Sequence, residues 1–179
     1  MERNKIEITL AGSGGQGLIL AGLVLADAAG IEEGMEIVQT VEYGPEARLG
    51  TSRSDLIISR KIISYPKVIH PDVLVVLSQS AYDKFNKIVK IPGAIILDTF
   101  NTKEFSKDTK GIEIVALPFT EIVRERIGTP LVLNMLVLGF LAKKYDLVRL
   151  KSLQNAVDRR VKKYQDLNKK ALQEGYTLG

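Results

Sequence analysis

The chain has 179 residues, with 25 Lys/Arg against 21 Asp/Glu, one histidine and no cysteine. A composition of 45% hydrophobic and 26% charged residues is that of a globular chain with enough length to bury a core. The missing cysteines exclude disulfides, a thiol nucleophile, a CxxC redox pair and any cluster ligated by cysteines of this chain.

Lys5 to Leu10 alternates and then turns apolar, which predicts a strand running into Ala11-Gly12-Ser13-Gly14-Gly15-Gln16-Gly17. Leu18 to Ala29 follows as an Ala/Leu-rich helix closed by Gly30, and Met35 to Val41 as a second strand. Tyr43 to Asp55 is polar, holds two glycines and a proline, and predicts a long ordered loop. Leu56–Ser59 and Ile62–Tyr65, on either side of Arg60-Lys61, have the pattern of a hairpin. Val73–Leu77, Ala94–Leu97 and Ile112–Ala116 are short apolar runs suited to strands buried on both faces. Helices are expected over Ser80–Val89, Glu121–Arg126, Leu131–Lys144 and Arg149–Glu174, the last carrying an apolar stripe and ending at Gly175. Alternating strands and helices predict one domain over residues 1–179: an α/β fold, an open, mostly parallel sheet with helices on both faces, Rossmann-like, and a long C-terminal helix.

From Lys143 onward there are ten Lys/Arg and four Asp/Glu, so this segment carries +6 and the first 142 residues −2. A lysine-rich solvated helix face accounts for that excess, and no basic stripe with interleaved aromatics points to nucleic acid. The longest apolar run, Leu131 to Ala142, is short of the roughly 20 residues that cross a bilayer. No membrane association is expected, and the expected location is the cytoplasm.

Gly12, Gly14 and Gly17 satisfy G-x-G-x-x-G between a strand and a helix. Glycines let backbone approach a phosphate, and free N–H groups of the first helical turn point at the anion. A P-loop is excluded because Leu18 stands where lysine is required. The same glycines also serve tight strand-to-helix packing or the close approach of a partner chain. An NAD site would use Glu42 for the ribose hydroxyls. Arg48 and Arg53 are candidates for bidentate contacts to phosphate or carboxylate, or for salt bridges with Glu46 and Asp55 inside the loop. His70, before Pro71, reads as a turn residue.

Gly12-Ser13-Gly14-Gly15-Gln16-Gly17, then Tyr43-Gly44-Pro45-Glu46-Ala47-Arg48, then Ser52-Arg53-Ser54-Asp55 and Ile57-Ile58-Ser59, resemble the gamma subunit of 2-oxoacid:ferredoxin (acceptor) oxidoreductases. Asn134-Met135, Leu138-Gly139 and the closing Asn168–Tyr176 fit the same family, so the resemblance spans nearly the whole chain. Where the family usually has two glycines after that arginine, Leu49 precedes Gly50. The resemblance implies a subunit of a complex that oxidatively decarboxylates a 2-oxoacid with coenzyme A, giving an acyl-CoA, carbon dioxide and reduced ferredoxin. It implies that thiamine diphosphate, magnesium and an iron–sulfur cluster belong to other subunits and that this chain alone binds no cofactor. Alpha and beta subunits, a delta or ferredoxin-like subunit, and ferredoxin itself are the implied partners. Gly12, Ser13, Gly14, Gly15, Gln16, Gly17, Tyr43, Arg48 and Arg53 are the implied contacts to a CoA phosphate or to a neighbouring subunit, and no residue has a covalent catalytic role. The run Arg53–Ser59 followed by Tyr65-Pro66-Lys67-Val68 points within the family to 2-oxoglutarate, with pyruvate and branched-chain oxoacids open. The rival readings are a stand-alone NAD-dependent oxidoreductase and a non-catalytic nucleotide-binding module.

Overall fold

The computed structural model describes residues 4–43, 50–107 and 109–179. Six strands, β1 (Lys5–Ser13), β2 (Glu36–Tyr43), β3 (Thr51–Ser59), β4 (Val73–Val76), β5 (Gly93–Asp98) and β6 (Ile112–Leu117), form one sheet in the order β2-β3-β1-β4-β5-β6. Pairs β1·β4, β4·β5 and β5·β6 are parallel, whereas β3 runs antiparallel to both β1 and β2. The α/β architecture and the mostly parallel sheet are therefore as the sequence predicts. The short strands β4 and β5 are apolar on both faces because both faces are covered.

Helices α1 (Leu18–Asp27), α3 (Phe119–Arg126), α4 (Leu133–Lys144), α5 (Leu150–Arg160) and α6 (Gln165–Leu178) pack on one face, in a core that includes Ile8, Leu10, Leu25, Leu56, Phe119 and Met135. Residues Leu133 to Ala142 of α4 are all buried, which explains why that helix is apolar all round. The other face carries α2 (Gln79–Phe85), seated on Leu74, Val76, Ile95 and Leu97. Helix α6 lies so close along α4 that a Cβ on Gly175 would stand 1.8 Å from the Leu136 carbonyl oxygen.

Four expectations change. Residues Thr51–Asp55 of the expected loop belong to β3, where Ser54 is buried by a 2.9 Å hydrogen bond from Gln39 Nε2. Polar side chains that satisfy one another look like a loop when read one at a time. The hairpin at Arg60-Lys61 does not form, because β3 ends at Ser59 with β1 and β2 already on its two edges. Helix α1 ends at Asp27 and continues as a π-type turn over Ala28–Glu32, so Gly30 is not its cap. The long C-terminal helix is present as two helices, α5 and α6, parted at Val161–Tyr164, where Tyr164 takes φ 56°. Helix α6 then runs through Gly175 rather than stopping there.

Candidate functional site

All parallel strands end on the same side of the sheet, and the glycine loop leaves β1 there. Ser13 pairs with Thr51 at the end of the β1–β3 ladder, and the Gly14 N–H donates to Gly50 O at 3.0 Å. The Gln16 side chain locks the loop. Its Oε1 accepts from the Ser13 N–H at 2.7 Å, and its Nε2 donates to Leu77 O at the end of β4 at 2.8 Å. A Cβ at position 12 would meet that Oε1 at 2.3 Å, so Gly12 is where the lock needs space. Gly17 caps α1 with φ 71°, a left-handed conformation that L side chains rarely adopt, and no side chain caps the first turn. The inner half of the loop is thus occupied with itself. The outer half, Gly15, Gly17 and the first N–H groups of α1, is open.

That outer half borders a groove of about 400 Å³ whose far wall is the α5–α6 elbow. Arg160, Lys162 and Lys163 line it, with apolar Leu20, Leu131, Val132 and Val161, and no carboxylate does. Tyr164 and Leu131 stand exposed on its rim. Asn134 forms part of the wall, donating from Nδ2 to Gly17 O at 2.9 Å, while its buried Oδ1 has no donor. The first turn of α6 also lacks a side-chain cap. Two helix N-termini and the cations Lys162 and Lys163 therefore meet one groove, beside an Arg160 already held by Asp27, an arrangement that attracts an anion.

An ion cluster fixes the elbow in place. Asp27, the last residue of α1, is almost fully buried and accepts from Arg159 (Nη2–Oδ1 2.9 Å) and Arg160 (Nε–Oδ2 2.5 Å), and Arg159 also reaches Glu32 at 2.6 Å. Burial pushes the Asp27 carboxyl up, but the hydrogen bonds and charges of the two arginines outweigh it and hold it below the usual carboxylate range. Hydrogen bonds from Asn155 and Arg159 lower Glu32 in the same way, and Asp27 and Glu32 raise Arg159.

The remaining expected residues are not gathered at this groove. Arg53 donates from Nε to Asp55 Oδ1 at 2.8 Å and from Nη2 to Val68 O at 3.2 Å, and it lies over the Phe85 ring, so it occupies the internal salt-bridge role. Tyr43 ends β2 with its side chain exposed. Arg48 lies outside the described residues. Glu42 sits one strand further out than a ribose-binding acid requires, because β3 is interposed between β1 and β2, a displacement of about 5 Å. His70 is exposed, with Nδ1 3.0 Å from Ile88 O, and acts as a turn residue. Asp98 is buried at the end of β5, but Phe100, Asn101 and Thr120 satisfy it with four hydrogen bonds, so it joins β5 to α3. Sequence reasoning missed Lys162, Lys163 and Tyr164 as a wall of the site. Asn134, a polar residue inside the longest apolar run, was the signal available.

Among the described residues no group of three or more His, Asp and Glu is placed to hold a metal, and no helix is long and apolar enough to cross a membrane. Residues 7–178 match the family model described as pyruvate ferredoxin/flavodoxin oxidoreductase. The chain is 41% identical over 173 residues to the 2-oxoglutarate synthase subunit KorC of Methanocaldococcus jannaschii, covering 96% of this chain and 92% of that one. It is 38% identical over 138 residues to the ketoisovalerate oxidoreductase subunit VorA of Methanothermobacter marburgensis, covering 77% of this chain but 28% of VorA. The crystal structure of the keto/oxoacid ferredoxin oxidoreductase gamma subunit from Geobacter sulfurreducens superposes with a TM-score of 0.85 at 32% identity, over 98% of this chain and 96% of that one. Its relatives are subunits of oxidoreductase complexes, and the chain belongs to the pyruvate ferredoxin/flavodoxin oxidoreductase family as a gamma subunit.

Proposed function

We propose that this gamma subunit serves a complex that oxidatively decarboxylates 2-oxoglutarate with coenzyme A. The carbon dioxide leaves, the acyl group passes to the CoA thiol, and the electron pair passes through the complex to ferredoxin. The observation that carries the substrate is the near full-length similarity to a subunit named for 2-oxoglutarate. Thiamine diphosphate supplies the carbanion chemistry and, with magnesium and the iron–sulfur cluster, belongs to the other subunits. A chain without cysteine offers no thiolate to a cluster.

This chain's part is to hold a phosphate of CoA in the groove beside Gly15 and Gly17. The residues fit such a group. The two glycines bring open backbone N–H groups to the anion, the α1 N-terminus adds its dipole, and Lys162 and Lys163 supply charge. Asn134 holds Gly17 in place through its amide nitrogen. Gln16, Gly12, Ser13 and Gly14 position the loop instead of touching the ligand. Exposed Leu131 and Tyr164 favour a second role for the same rim, the docking of a catalytic subunit over it.

Co-purification from the source cell with mass spectrometry tests the assignment. Recovery of a thiamine enzyme and an iron–sulfur subunit, with 2-oxoglutarate-dependent ferredoxin reduction, is the expected result. Recovery of the chain alone contradicts it.

A further inference from the structure

A second surface lies at the opposite end of the sheet, where β4 and β5 begin. Residues 60–72 connect β3 to β4, and residues 86–92 connect α2 to β5. The two stretches adjoin, with the Lys90 N–H donating to Pro71 O at 3.0 Å and His70 Nδ1 meeting Ile88 O. Together they expose four large apolar side chains, Ile62 (85%), Tyr65 (56%), Ile69 (56%) and Ile91 (68%). They also carry five cations, Arg60, Lys61, Lys67, Lys87 and Lys90, against one carboxylate, Asp72. Among the described residues only Lys90 of these five has an ion pair, with Asp72 at 3.1 Å. Large apolar side chains beside four unpaired cations are costly to leave in water and mark an interface.

We infer that this end of the sheet docks an acidic protein surface with an apolar centre, belonging to another subunit of the complex. The charge of the two stretches sets the sign of the partner. The aliphatic centre argues against nucleic acid, which is gripped by stacking aromatics, and only Tyr65 is aromatic here. Permanent interfaces are rich in apolar side chains. The identity of the partner rests on the proposed function; the existence of the face does not.

Hydrogen–deuterium exchange on the assembled complex, compared with the full-length chain by itself, tests the inference. Exchange over residues 60–72 and 86–92 should slow at least tenfold on assembly. The double variant Ile62→Glu/Ile69→Glu should melt like the wild type and lose at least tenfold in affinity for the remaining subunits. Lys61→Glu/Lys67→Glu should weaken assembly most at low salt. If the complex assembles while both stretches exchange at free-chain rates, the face is wrong and the subunit assignment stands. If no 2-oxoacid oxidoreductase subunit assembles with the chain, both fail. Protection that appears with rising concentration of the chain alone, or on adding nucleic acid or anionic vesicles, also overturns the inference by naming a different occupant.

Discussion

The two faces of the sheet are built to different densities. One is covered by five helices, with α4 and α6 in backbone contact at Gly175 and α1 tied to α5 through buried Asp27. The other has α2 alone among the α-helices. Helices on the dense face supply most of the buried apolar area and place the groove-forming elbow. The end of the sheet where β4 and β5 begin leaves isoleucines in water.

Substitutions can break or sharpen that contrast. Gly175→Ala forces a methyl group against the Leu136 carbonyl and should separate α6 from α4. The expected loss is on the order of 3 kcal/mol, or roughly 6–12 °C in Tm. A melt lowered by only a degree or two would show that the helix pair yields easily.

Asp27→Asn should cost about 1–2 kcal/mol, less than a fully buried pair because both arginines keep one side in water. Its pH dependence has a definite sign. A carboxyl held below its unfolded value contributes stability that is complete above about pH 4 and is lost as pH falls towards the folded-state value. Wild-type stability measured by urea denaturation should drop in that acid window more steeply than that of the variant. Parallel curves would remove Asp27 from the account.

Tyr164→Gly relieves a left-handed backbone and should stabilise the chain by about 1 kcal/mol in a thermal melt. A loss instead would mean that the tyrosine side chain packs more than its exposure indicates. In the connection after β3, Ile62→Glu should leave stability within about 0.5 kcal/mol of wild type. A larger loss there would show that this surface is part of the core.

Local features were legible in the sequence. A strand, a glycine run and an apolar helix in direct succession announce the loop at Gly12–Gly17, because chain geometry over a few residues decides it. Long-range competition was not. Nothing in Ile62–Tyr65 reveals that β3 already has a neighbour on each edge, and nothing in Thr51–Asp55 reveals that Ser54 meets Gln39. The elbow at Val161–Tyr164 contains neither glycine nor proline, so its residues read as continuous helix. Its position depends on Asp27 and Asn168, which hold it from separate elements. For Arg53 the sequence leaves a phosphate or carboxylate ligand and a salt bridge with Asp55 side by side, and the fold shows the pair with Asp55.

The central claim is that the groove between the glycine loop and the elbow holds a CoA phosphate. Steady-state kinetics of the assembled complex carrying Lys162→Ala/Lys163→Ala tests it most directly. KM for CoA should rise about tenfold, the loss of a charge-assisted contact, with KM for 2-oxoglutarate and kcat kept. An unchanged KM for CoA in a fully assembled complex would contradict the account.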